Sequence, residues 1–315
     1  MKTILLFTLT LSLSLAALAQ APETPTGKTA RIDPAPEKGF SYPYYLFTPA
    51  SPESGNTQTL LVIPNNTGKT SDDLNDHEAN VKGKMAQAAF IFGRLGTPVL
   101  VPVFPRPQKE WKIYTHALDR DTLTTDLKEY SRLDLQLAAM IRDARTRLAS
   151  TGSTVGEKVL MYGFSASAMF ANRFAFLHPD LVKAAAVGSP GGWPIAPAGK
   201  FKGTELRYPL GIADLKSLTG HKTDRKELAK VAFFFFLGGE DDNDSLVFRD
   251  GYEEDDEKLA MELLGKSPVE RWPVAESIYK DAGMNAVFKL YPGEGHRPSK
   301  EMVEDVLSFL EKNKY

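Results

Sequence analysis

The sequence predicts an α/β protein built on a mostly parallel sheet with helices on both faces. Two observations carry this. Strand-like and helix-like segments alternate from about residue 28 without an obvious linker, which is the rhythm of units in which a strand is followed by a crossover helix. The strand-like segments are also near-continuous apolar runs, "VAFFFFL" (231–237) being the most apolar of them. Strands covered on both faces require such runs.

The first residues stand outside that alternation. Met1-Lys2 gives a positive start, Ile4 to Leu18 is a short apolar run broken by Ser and Thr, and Ala17-Leu18-Ala19 has the small-x-small form of a cleavage site. This predicts an export signal over residues 1–19, cut after Ala19. The run is shorter than the roughly 20 apolar residues of a spanning helix. A flexible lead-in is expected over 20–39, which opens with the Pro/Thr-rich "QAPETPTGK", and a folded domain over 40–315. The protein is therefore expected to be exported, to the periplasm or beyond.

Within the domain, strands are expected at 43–50 and 59–64, then a helix at 73–96 from its apolar spacing, a strand at 97–105 and an amphipathic helix at 131–150. There follow a strand at 158–163, a helix at 166–178, strands at 181–189 and 230–238, a helix at 271–283, a strand at 286–293 and a closing helix at 299–313. Two stretches, 190–229 and 240–270, break the rhythm, and both follow strands. Loops beyond the carboxyl ends of strands line the ligand crevice of open α/β sheets. These two are expected to be walls or lids over a site.

Composition narrows the function classes. The 315 residues are 42% hydrophobic and 25% charged, ordinary values for a domain with a sizeable core. There is no cysteine, which excludes disulfides, a thiolate nucleophile and thiolate metal ligands. The formal charge of −2 becomes −3 once Lys2 leaves with the signal. Nothing in that balance suggests a nucleic-acid or membrane-surface partner. No metal and no cofactor are expected.

The chemistry-bearing segment is Gly163-Phe164-Ser165-Ala166-Ser167, at the junction of a buried strand and a helix. Serine there could be an ordinary helix N-cap. It could equally be a nucleophile held out of a sharp strand-to-helix turn, where small flanking residues let strand and helix approach. Two further segments bear on the choice. "GGEDDND" (238–244) follows the strand "VAFFFFL", and "EGHRPS" (294–299) follows the strand "AVFKLYPG". Serine, acid and histidine thus each fall just past a separate strand, in that order.

On these residues the chain resembles the α/β-hydrolase family over most of its length, at fold level its secreted serine esterases of the polyhydroxybutyrate depolymerase, feruloyl esterase and acetylxylan esterase kinds. Ser167 stands where the family's Gly-x-Ser-x-Gly has its last glycine. The resemblance implies Ser165 as nucleophile, His296 as general base and acid, and an acid that orients the imidazole. That acid is Asp241 if the family's Gly-x-x-Asp is read from Gly238, and Asp242 if it is read from Gly239; the first reading is favoured. The implied oxyanion hole takes one backbone N–H from Ala166 and a second from the loop "IPNNTGKT" (63–70), at Asn66 or Thr67. A carboxylic ester in a small molecule or polymer is the implied substrate. A peptidase of the same fold is the enzymatic alternative, and a non-catalytic binding protein that kept the fold is the alternative from another class.

Other residues receive plainer readings. His178, before Pro179 at a helix end, suggests a packing or C-terminal role, and His77, His116 and His221 have no supporting pattern. The acidic stretch Glu240–Glu257 lacks calcium-loop spacing and reads as a solvated face. Trp193 in "GGW" could line the substrate cleft or anchor a lid from within; the cleft is favoured.

Overall fold

Apolar runs become strands because the sheet is covered twice. The computed structural model describes residues 26–50, 57–66 and 69–315, and of residues 87–92 the backbone alone. The expected signal at 1–19 lies outside the described residues. In chain order the elements are β1 (Gly27–Ile32), β2 (Tyr44–Pro49), β3 (Leu61–Val62), α1 (Leu74–Phe92), β4 (Val99–Pro102), α2 (Asp121–Thr124) and α3 (Leu133–Ser150). Then come β5 (Val159–Phe164), α4 (Ala166–Leu177), β6 (Val182–Gly188), β7 (Lys200–Phe201), β8 (Thr204–Glu205), α5 (Leu215–Thr219) and α6 (Arg225–Leu228). The chain closes with β9 (Ala232–Gly238), α7 (Glu254–Leu263), α8 (Pro268–Asp281), β10 (Ala286–Tyr291) and α9 (Lys300–Asn313).

Eight strands form one sheet in the order β1-β2-β4-β3-β5-β6-β9-β10. The six from β4 to β10 are parallel, and β2 runs antiparallel to both β1 and β4. Side chains alternate across this sheet. In β9, Phe233, Phe235 and Leu237 enter one apolar layer with Leu137 and Ile141 of α3, Phe170 and Phe174 of α4, and Tyr279 of α8. Phe234 and Phe236 enter the opposite layer with Val81 of α1 and Met302, Val306 and Leu310 of α9. Each such side chain contributes about 2 kcal/mol on leaving water.

The insertions after β6 and β9 build a third apolar cluster. Trp193, Leu206, Leu210, Leu246, Tyr252 and Ile278 meet there with Met169 of α4. This cluster sits over the start of α4, so the two expected lid stretches are packed together rather than loose.

Of the lead-in expected at 20–39, the described part from residue 26 needs correcting. Residues 27–32 form β1, paired from Gly27↔Pro49 to Ile32↔Tyr44, and Phe40 is fully buried. As an edge strand β1 is mostly exposed and carries no apolar run, so its ladder bonds to β2 had no compositional signal.

A buried polar cluster ties α3 to α4. Arg132 donates to both oxygens of Asp134 at 2.9 and 2.8 Å, and His178 Nε2 lies 2.9 Å from Oδ2. His178 therefore has a structural role. Burial alone would raise the Asp134 carboxyl, but the bonds from His178 and Arg132 outweigh it and hold the group at about 2. A carboxyl depressed in the folded state stabilises above its unfolded value of 3.8 and loses that contribution as pH falls towards 2. Asp134→Asn is expected to lower unfolding stability at pH 7 by about 2 kcal/mol, measured in urea. Its deficit relative to the parent should shrink between pH 4 and pH 2, and a constant deficit over that range would remove the ionised carboxylate from the account.

Candidate active site

The turn between β5 and α4 is shaped by close contact. A Cβ on Gly163 would lie 2.2 Å from the Ser167 carbonyl oxygen, so only glycine lets the strand pass the helix. Ser165 takes φ 61° and ψ −129°, a backbone region that costs a non-glycine residue about 1–3 kcal/mol. The Ser165 N–H donates to Gly188 O at 2.9 Å, which ties the turn to the end of β6. Ser167, where a glycine was the commoner residue, has a use of its own. Its Oγ donates to Phe164 O at 2.8 Å and accepts from Phe164 N at 2.9 Å, closing the turn from inside.

The Ser165 side chain makes no helix-capping hydrogen bond. Its hydroxyl instead lies 3.0 Å from His296 Nε2. The ordinary N-cap reading therefore fails: the hydroxyl faces the imidazole and not the first turn of the helix.

His296 and Asp241 arrive on two loops that clasp one another. Gly239 N donates to Tyr291 O at 2.7 Å and Glu240 N to Glu294 O at 2.9 Å. The approach is so close that a Cβ on Gly238 would lie 2.2 Å from Glu294 O. Asp241 is thereby turned under the imidazole, with Nδ1 at 3.1 Å from Oδ1 and 3.0 Å from Oδ2. Burial would push the Asp241 carboxyl up, but the His296 bond and the Asn243 backbone N–H, among others, outweigh it and keep the group below its ordinary value. An ionised carboxylate on Nδ1 keeps a proton there and leaves the lone pair on Nε2, facing Ser165. Asp242 is exposed on the same turn, so the structure brings Asp241 and not Asp242 to the ring. The His296 side chain stays 24% exposed, reachable from solvent.

Ala166 opens α4, where the N–H has no acceptor within the helix. Asn66 reaches the same turn, its Nδ2 donating to Phe164 O at 3.1 Å. Thr67 falls outside the described residues. The loop after β3 is held by buried Asn65, whose Nδ2 donates to Phe104 O at 2.8 Å. His116 lies against that pair, its Nε2 at 2.9 Å from Phe104 O; burial lowers it to about 3, so it is neutral and structural.

Two expectations are overturned. Trp193, favoured for the cleft, is 1% exposed in the lid cluster, with Nε1 donating to Leu210 O at 2.9 Å. Its indole fills the core that the two insertions build between them. Nor is Glu240–Glu257 simply a solvated face. Asp241, Asp244 and Asp256 are buried, with Asp244 paired to Arg271 and Asp250 paired to Arg106 at 2.8 Å. Those partners lie far away in the chain. Sequence reasoning also missed Asn243, which touches both Asp241 and His296; an asparagine in an acidic turn carries no distinguishing pattern. Among the described residues no group of three or more His, Asp or Glu is arranged to hold a metal ion.

No family model and no curated protein matches the chain. Solved structures do. Over 92% of its length the chain is similar to poly(aspartic acid) hydrolase-1 from Sphingomonas sp. KT-1, with 98% of that chain covered, TM-score 0.56 and 17% identity. A poly(3-hydroxybutyrate) depolymerase from Bordetella parapertussis aligns over 92% and 91% of the two chains, with TM-score 0.57 and 15% identity. The protein has the α/β-hydrolase fold. An S-formylglutathione hydrolase from Agrobacterium tumefaciens shares this α/β-hydrolase architecture over 92% and 96% of the two chains, with TM-score 0.52 and 11% identity.

The burial of Trp193 in this α/β-hydrolase lid is checkable. Trp193→Ala should lower unfolding stability by about 3–5 kcal/mol, read by thermal or denaturant unfolding. Parental stability with altered substrate affinity would return the indole to the cleft.

Proposed function

We propose that the protein is an exported serine hydrolase that cleaves carboxylic esters through an acyl-enzyme on Ser165. The observation that carries the reading is the 3.0 Å contact between Ser165 Oγ and His296 Nε2, with Nδ1 of the same ring on Asp241. A serine hydroxyl is a weak nucleophile until a base removes its proton. His296 Nε2 takes that proton as Oγ bonds to the acyl carbon. The oxyanion that forms accepts from the Ala166 N–H and from a donor on the loop that carries Asn66. His296 then passes the proton to the departing alkoxide oxygen, and the C–O bond breaks. Water repeats the sequence on the acyl-enzyme, with His296 again as base, and releases the acid. Asp241 stays ionised throughout and stabilises the imidazolium.

The ester assignment rests on the resemblance to esterase and depolymerase members of the fold, and fold alone does not carry a substrate. The named neighbours are a poly(aspartic acid) hydrolase, a poly(3-hydroxybutyrate) depolymerase and an S-formylglutathione hydrolase. Export rests on the composition of residues 1–19.

Turnover of p-nitrophenyl acetate and butyrate by the mature protein is expected to fall by about 10³-fold or more in Ser165→Ala. Equal rates would remove Ser165 from the mechanism, and so would a fluorophosphonate label mapped to another serine. Asp241→Asn should lose far more turnover than Asp242→Asn. Faster cleavage of p-nitroanilides than of matched esters would make the protein a peptidase, and no cleavage of either a binding protein.

A further inference from the structure

Asn243 lies two residues past Asp241, half-exposed on the turn after β9. Its backbone N–H donates to Asp241 Oδ1 at 3.1 Å, and its side-chain Nδ2 stands 3.0 Å from His296 Nε2. One residue therefore touches both members of the carboxylate–imidazole pair, and it meets the ring at the nitrogen that faces Ser165.

We propose that Asn243 is a positioning residue that holds the His296 ring with its proton on Nδ1 and its lone pair on Nε2, aimed at Ser165. The inference rests on the serine-hydrolase reading above and deepens it. A neutral imidazole has one N–H and one lone pair. Both Asp241 oxygens face Nδ1, so the proton is there and Nε2 can only accept. A carboxamide offers an NH₂ end and a carbonyl end, and only the NH₂ end is attracted to a lone pair. A ring that turned over, or moved its proton to Nε2, would set a C–H or N–H against that NH₂ group.

Asp241 grips one edge of the ring, and Phe164 packs against the ring with centroids 5.0 Å apart. The Ser165 hydroxyl gives little resistance to pivoting of the ring, because a hydroxyl hydrogen rotates to suit its partner. Asn243 supplies a donor on the second edge, where it shares the one Nε2 lone pair with the Ser165 hydroxyl. Its backbone is tied to Asp241 by its own N–H, so one short turn sets the distance between the two contacts. Asp244, the next residue, pairs with buried Arg271, whose Nε donates to Gly192 O at 3.0 Å. The turn is thus held from behind by the lid. When Nε2 takes the Ser165 proton it becomes a donor, and the Asn243 NH₂ is released from it. Asn243 therefore orders the resting ring and takes no part in bond making.

The test combines ¹⁵N spectroscopy of the His296 ring, recorded with the ring neutral, with kinetics on p-nitrophenyl butyrate and fluorophosphonate labelling rates. Asn243→Asp keeps the shape but puts an accepting oxygen at Nε2, and Asn243→Leu keeps the volume without either donor or acceptor. Wild type should show Nδ1 as the protonated nitrogen, with the Nε2 signal moving towards the protonated position in Asn243→Asp. In both variants kcat and the labelling rate should fall about tenfold or more while KM stays within about threefold, with the unfolding temperature near that of wild type.

An unchanged nitrogen pattern in Asn243→Asp, or labelling at the wild-type rate, overturns the inference. A raised KM with kcat preserved also overturns it, by making Asn243 a substrate contact. A wild-type label on a serine other than Ser165 sinks the serine-hydrolase reading instead, and the nitrogen pattern still decides whether Asn243 sets the ring.

Discussion

Two loops from neighbouring strands share backbone hydrogen bonds at the carboxyl edge of the sheet, and the site depends on that clasp. Glu240 N on Glu294 O and Gly239 N on Tyr291 O bring the turn after β9 against the turn after β10. Neither contact involves a side chain, yet together they fix where Asp241 and His296 stand. Gly238 is the residue that permits them, since a methyl group there would overlap the facing carbonyl. The serine needs its own strained turn, because a relaxed helix start would spend the hydroxyl on capping rather than offer it to the imidazole.

Strain and exposed polar groups persist only where the surroundings over-determine them. Here the surroundings are three apolar layers. Two cover the sheet and hold β5, β6, β9 and β10 in register. The third joins both insertions to α4 through Trp193, Tyr252 and Met169. The ion pairs Arg271–Asp244 and Arg106–Asp250 stitch the same region across long sequence separations. Breaking one partner of such a buried pair strands the other charge. Packing of this kind holds His296 at hydrogen-bond distance of both Ser165 and Asp241.

Much of this was legible beforehand. The run Phe233 to Phe236 announced a strand covered twice, and Ser165, an acid and His296 could be seen one strand-end at a time. The register of the acid stayed open between Gly238 and Gly239 in the sequence, with Asp241 favoured, because one residue at a strand end turns a different side chain inward. Other features left no local trace. Strand β1 lies on an edge and is mostly exposed, so it lacks the apolar run by which the other strands were found. Trp193 follows a strand, as a cleft residue would, but the second insertion folds over it and buries it. Asp244 and Asp250 read as solvated because their neighbours in the chain are charged, whereas their partners Arg271 and Arg106 come from elsewhere; Asp256 is buried as part of a helix-capping pair with Glu253.

By itself the sequence determined the α/β class, most of the main sheet's strands and the longer helices in order, and a serine, a histidine and two adjacent acids that could carry a nucleophile, a base and an acid. It could do so because hydrophobic periodicity and turn chemistry are local, written over a few residues at a time. Tertiary structure alone decided that Ser165 Oγ and His296 Nε2 stand 3.0 Å apart, that Trp193 is core, and that Asn243 touches both Asp241 and the ring. Those are distances between residues remote in the chain, or between atoms on a turn whose course another loop dictates. No local pattern encodes them, because they exist only once the sheet has packed.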